Sequence, residues 1–177
     1  EVMGAFIAEG GYLITDKKEK DQLRSALFID GHMNKDVVGQ SVQEIARLAG
    51  LSIPKDRRVI LVEADGIGEE ELFCREKMCP VLSTFKYATF EEGIKIAKVN
   101  LELEGNGHTA GIHSNNITNI KRVGEVLSVS RVVVNAPTST TAGGSFTNGF
   151  APTTTLGCGS WGNNSISENF TYKHLIN

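Results

Sequence analysis

The chain has 177 residues, of which 40% are apolar, a length and composition suited to one domain with a real core. Its net charge is −3, with 18 lysines and arginines against 21 carboxylates. That balance leaves no basic field to hold nucleic acid or an anionic membrane, and no apolar run reaches the roughly 18 residues that span a bilayer.

The first stretch, Glu1 to Glu9, reads as helix and stops at Gly10-Gly11. Residue 1 is Glu rather than Met, so the expectation is a piece of a longer protein. A second helix follows in "DKKEKDQLRSALF", where Asp16 and Glu19 stand in capping-box spacing. A third, "SVQEIARLAG", pairs Ser41 with Glu44, puts Val42, Ile45, Ala46 and Ala49 on one face, and ends at Gly50. Four strands are expected: Arg58–Ala64, Pro80–Tyr87, His108–Ser114 and Arg131–Asn135. Between the later ones, Thr89 and Glu92 open a helix with the stripe Phe90, Ile94, Ala97 and Leu101. Another helix runs from about Asn116 to Ser128, with Ile120, Val123 and Leu127 on one side. Alternating strands and helices, with continuous apolar strand runs, give an α/β fold: a largely parallel sheet with helices on both faces, in a single domain over 1–177.

After Asn135 the character changes. Some 35 residues rich in Gly, Ser, Thr and Asn follow, with Phe146, Phe150, Leu156, Trp161, Ile166 and Phe170 spaced as anchors. A loop this long is uncommon in a compact domain, and an ordered, substrate-facing segment is the expectation. Within it, Gly157, Gly159 and Gly162 spell G-x-G-x-x-G. A phosphate loop needs a strand before that motif and an amphipathic helix after it. A Thr-rich approach and "NNSISEN" supply neither, so the motif reads as a turn where backbones pack closely.

Three cysteines, Cys74, Cys79 and Cys158, are too few and too irregular for a disulfide framework and point to a reducing, cytoplasmic setting. Neither they nor His32, His108, His113 and His174 have the spacing of a metal site.

The stretches "EGGYLIT", "VGQSVQEIARLAGLSIP", "REKMCPVLSTF", "EGNGHTAGIHSNN", "RVVVNAP" and "APTTTLGCGSWGNNSISENFTYKHLIN" occur in the order shown by the CoA-acylating aldehyde dehydrogenases, and the chain resembles that family over essentially its whole length. Members convert an aldehyde, CoA and NAD or NADP to an acyl-CoA and the reduced cofactor. A cysteine thiolate attacks the aldehyde, hydride leaves to the nicotinamide, and CoA resolves the thioester. The resemblance implies that the nucleophilic cysteine and most of the cofactor domain lie upstream of this chain, and that Cys74, Cys79 and Cys158 are packing residues. It implies that Glu76 of "REKMCP" contacts the nicotinamide ribose hydroxyls, for which a carboxylate suits because it accepts two hydrogen bonds. Met78 would back the nicotinamide. His108 of "GNGHT" would act near the cysteine, taking a proton from the CoA thiol or polarising the thioester. Strand alternation would send His113 to the other face. The loop "NAPTSTTAGGSF" stands where the family builds its acyl pocket, so Ser139, Thr140 and Thr141 are the candidate substrate-binding residues. The loop is closer in form to the succinate-semialdehyde and sulfoacetaldehyde types than to the acetaldehyde type, yet it holds no arginine, and Arg131 is the nearest. Partners implied are a small aldehyde or semialdehyde, CoA, the chain's own cofactor domain, and further copies in a homodimer or larger array. A cytoplasmic or bacterial-microcompartment location follows. Two alternatives stay open. A hydrolytic, non-acylating aldehyde dehydrogenase would read closer to "EIFGPV" where this chain has "EKMCPV". A non-catalytic α/β binding or oligomerisation module would bind no dinucleotide.

Overall fold

A computed structural model describes residues 2–176. They fall into two compact units, one up to Lys86 and one from Tyr87 onward.

In the first unit the elements run α1 (Val2–Ala8), β1 (Gly11–Ile14), α2 (Lys17–Leu27), β2 (Phe28–Ile29), β3 (His32–Met33), α3 (Val42–Ala49), β4 (Val59–Glu63) and β5 (Val81–Thr84). The expected first helix is α1; Glu1 lies outside the described residues. The caps at α2 and α3 form as their sequences require. The Asp16 carboxylate accepts from the Glu19 amide at 3.0 Å, and the Ser41 hydroxyl accepts from the Glu44 amide at 3.2 Å. α3 then ends at Gly50 in the left-handed conformation. Strands β1, β4 and β5 form one parallel sheet, with β4 in the middle. Its core contains Ile14, Leu23, Leu27, Ile45, Ile60, Val62, Phe73 and Val81.

Two features of this unit go beyond the sequence reading. β1 is a four-residue strand in the "GGYLI" stretch, too short to show a period of its own. β2 and β3 form a hairpin around Asp30 (φ 50°) and Gly31 (φ 77°). An Asp-Gly pair with both residues at positive φ is the favoured two-residue hairpin turn. The signal was present, but the flanking strands are only two residues long.

In the second unit come α4 (Phe90–Asn100), a π-helical turn (Leu101–Gly105), β6 (Gly107–Ile112), α5 (Ile117–Val126), β7 (Val129–Val134) and a single helical turn, α6 (Thr138–Thr141). β6 and β7 are parallel and joined by α5, as a βαβ unit requires. Ile94, Ile112, Val123 and Leu127 make the core, with Phe90, Ala97, Leu101 and Ile120 packed on it, so the expected stripes of α4 and α5 face inward. The cap of α4 differs in one detail. Thr89 accepts from the Glu92 amide, but the Glu92 carboxylate reaches back to the Ala88 amide at 2.7 Å rather than to Thr89. Expected strand ends differ from observed ones by one to three residues; β7 stops where Asn135 turns to φ 52°. Among the described residues no helix is long and apolar enough to cross a membrane.

Candidate functional site

The link between β4 and β5 contains one 3-10 turn, Leu72–Cys74, and then Glu76 and Met78. Glu76 is exposed, and Met78 is 56% exposed, an apolar side chain presented rather than packed. The backbone beneath them is tied closely. The Phe73 carbonyl accepts from the Ser83 hydroxyl at 2.6 Å and from the Lys77 ammonium at 2.7 Å. Lys77 also donates to the Arg75 carbonyl at 2.6 Å. The Met78 carbonyl accepts from the Gly39 amide at 2.8 Å. Phe73, fully buried, plugs the segment into the core. A carboxylate and a thioether two residues apart thus stand out from an anchored loop. That arrangement can accept hydrogen bonds from a diol while covering the face of a planar ring.

Cys74 and Cys79 flank the same segment. Burial pushes both thiols above the ordinary cysteine range, which keeps them protonated and poorly nucleophilic. Cys158, in the other unit, is buried.

In the second unit, His108 is the second residue of β6 and is exposed. It lines a cavity of about 530 Å³ with Thr109, Thr138, Ser139, Thr153 and Leu156. His113 lines a different cavity, of about 420 Å³, with Tyr87, Phe90 and Asn119. The two histidines therefore do not act as a pair. Of the three hydroxyl residues expected to meet substrate, Ser139 lines the His108 cavity. Thr140 and Thr141 are not among its lining residues, and the Thr141 carbonyl accepts from the Asn148 side-chain amide at 3.1 Å. The reason is local: residues 138–141 form a helical turn instead of an extended loop, so successive side chains fan around an axis. Thr138 takes the place beside Ser139.

The wall of this cavity is fixed by residues the motifs did not single out. Arg131, 3% exposed, donates through Nε to the Thr109 hydroxyl at 3.1 Å and through Nη1 to the Gly157 carbonyl at 2.8 Å. No carboxylate pairs with it among the described residues, and its Nη2 is buried without a partner. Asn169, also buried, donates to the carbonyls of Ala142 and Ala151 at 2.9 and 2.8 Å. Together they fasten the long polar segment to itself and to β6 and β7.

The Gly157–Gly162 motif is an internal turn. The Gly159 amide donates to the Ile166 carbonyl at 2.8 Å, and the Gly162 amide donates to those of Cys158 and Gly159 at 3.2 and 3.1 Å. Amides that a phosphate loop would aim at a ligand are used within the turn. A Cβ at Gly157 would collide with the Ile166 carbonyl oxygen, and one at Gly107 (φ +81°) with that of Cys158. His174 is likewise internal: its ring stacks on Phe170 at 5.3 Å, and its Nδ1 accepts from the Thr171 amide at 2.9 Å.

The model of the aldehyde dehydrogenase family matches residues 62–174. The chain is 56% identical, over all of its length, to the succinate-semialdehyde dehydrogenase (acetylating) of Clostridium kluyveri, of which it covers 39%. It is 39% identical over 99% of its length to a sulfoacetaldehyde dehydrogenase of Acholeplasma sp, covering 37% of that protein. Among solved structures, an acetylating aldehyde dehydrogenase from Geobacillus thermoglucosidasius superposes with a TM-score of 0.92 at 35% identity, covering 99% of this chain and 38% of that one. The chain thus spans about two fifths of each of these three relatives.

Proposed function

The chain belongs to the aldehyde dehydrogenase family, and on that premise we propose that it is the catalytic-domain segment of a CoA-acylating aldehyde dehydrogenase acting on a short semialdehyde. The observation that carries this reading is the anchored loop presenting Glu76 and Met78 side by side, in a chain 56% identical to an acetylating relative. The cofactor, NAD or NADP, supplies the hydride acceptor. The residues of this chain do the rest of the positioning. The Glu76 carboxylate accepts from the ribose hydroxyls, and Met78 excludes water from the ring face. His108, at the mouth of its hydroxyl-lined cavity, removes the proton of the CoA thiol. Ser139, with Thr109 and Thr138, holds the polar head of the aldehyde. Thr140 and Thr141 support that turn from outside the cavity. On the family resemblance the nucleophile is a cysteine outside this chain, and burial of Cys74 and Cys158 and the raised thiols of Cys74 and Cys79 support reading these three as packing residues.

The complete enzyme works as a homodimer or larger homo-oligomer, with its own cofactor domain, in the cytoplasm or a bacterial microcompartment. The test is product analysis on the complete protein given succinate semialdehyde, NAD or NADP, and CoA. Reduced nicotinamide should appear together with an acyl-CoA, and only when CoA is present. Release of the free acid at the same rate without CoA would instead identify a hydrolytic aldehyde dehydrogenase.

A further inference from the structure

We propose that Lys20, Arg24 and Glu71 are positioning residues for cofactor binding: a partly buried ion network, closed through Asp65, that holds the loop carrying Glu76 and Met78 in its binding shape. The inference rests on the reading of Glu76 as the ribose-binding carboxylate.

Glu71 is 7% exposed and ties the start of its own loop to the 3-10 turn. Its Oε2 accepts from the Asp65 amide at 3.2 Å and its Oε1 from the Phe73 amide at 3.0 Å. Two residues of α2 complete the network from below. Lys20, 6% exposed, pairs with Asp65 at 2.5 Å. Arg24 lies 3.5 Å from both Glu71 Oε1 and Asp65 Oδ2, and its guanidinium sits 4.6 Å above the Phe73 ring. Lys20 and Arg24 are four residues apart and so rise from one face of the helix. The consequence passes to the site through Phe73. Glu71 fixes its amide, Arg24 covers its ring, and its carbonyl holds Ser83 and Lys77. Glu76 is three residues further on, and Met78 is then held by Gly39. Ion pairs taken out of water gain little stability, since apolar residues of equal volume often do as well or better, and the role assigned to this network is to define one loop geometry. A link of 17 residues between β4 and β5 with a single 3-10 turn needs that definition if a carboxylate is to meet a diol within hydrogen-bond tolerance.

The test is steady-state kinetics on the complete enzyme for Glu71→Gln, Glu76→Gln and the double variant. Glu71→Gln keeps the shape of the side chain but loses one acceptor and the charge. It should raise KM for NAD(P) about tenfold, with kcat and KM for CoA within about twofold of the parent. In the Glu76→Gln background the same change should have no further effect on cofactor KM, because the network acts through that carboxylate. If Glu71→Gln lowers the melting temperature but leaves cofactor KM unchanged, while Glu76→Gln raises it, the network is merely structural and the inference is overturned. If Glu76→Gln itself leaves cofactor KM unchanged, the reading of Glu76 falls and the inference with it. Should Glu71→Gln not fold, Arg24→Lys serves in its place: it retains the charge and loses the planar fork over Phe73.

Discussion

The loop from Asp65 to Met78 is held by charged side chains, whereas the segment from Pro137 to Phe170 is held by backbone. In the first, two cations of α2 and two carboxylates of the loop make the decisive contacts, over 41 to 47 residues of sequence. In the second, backbone carbonyls accept from a buried guanidinium, a buried side-chain amide and the segment's own backbone amides, and glycines supply the room. The difference lies in what each loop tolerates. A charge-held loop loses its contacts one at a time and responds to pH. A backbone-held turn has no spare volume, and a single methyl group is too much for it.

Three changes break or sharpen that contrast. The largest effect belongs to Gly157→Ala, which drives a methyl into the Ile166 carbonyl. It should cost about 3 kcal/mol in urea unfolding. Gly149→Ala, where nothing stands within 4 Å, is the control and should be near neutral. Equal costs at both positions would refute the tight turn. Next, Arg131→Met leaves the Gly157 carbonyl and the Thr109 hydroxyl without their donor. A loss of about 2 kcal/mol is expected by the same assay, since bonds from a charged donor are the stronger kind. A gain in stability would mean that the unpaired buried charge outweighs its bonds.

The smallest effect tests the charged loop. The hydrogen bond from Lys20, helped by Arg24, holds the Asp65 carboxyl below the usual carboxylate range. Because the folded pKa is lowered, the stabilisation is present above the unfolded value of about 3.9 and is lost as pH falls through the folded one. The Asp65 side chain is 58% exposed, so solvent screens the pair. Asp65→Asn should therefore cost about 0.5 kcal/mol at neutral pH and nothing at acid pH below both values. Melting curves across that range read the difference directly. A pH-independent cost would show that the contact is one of shape rather than charge.

How far the sequence disclosed this structure follows the same division. Local signals were legible. Asp16, Ser41 and Thr89 announce their helices because a cap is made within three residues. The turn nature of the Gly157 motif was legible from its neighbours, which offered neither strand nor helix. The positions of Glu76, Met78 and His108 came from resemblance, and the structure supplies their settings. Contacts between distant residues were not legible. Glu71, Arg131 and Asn169 look like ordinary polar residues until the fold brings their partners, up to 47 residues away, into reach. Lys20 alone left a trace: it shares the inward stripe of α2 with Leu23 and Leu27, where an apolar residue is expected. The separation of Ser139 from Thr140 and Thr141 was hidden because a Thr-Ser-Thr-Thr run has weak helix preference, and context decided for a turn.

The central claim is that the Glu76 carboxylate grips the ribose of a nicotinamide cofactor. Its most direct measurement is the dissociation constant of NADH and NADPH for the complete enzyme and its Glu76→Ala variant, by nicotinamide fluorescence without aldehyde or CoA. The account predicts binding weakened about tenfold or more, since hydrogen bonds to a charged acceptor are lost. Undiminished affinity in the variant would contradict it.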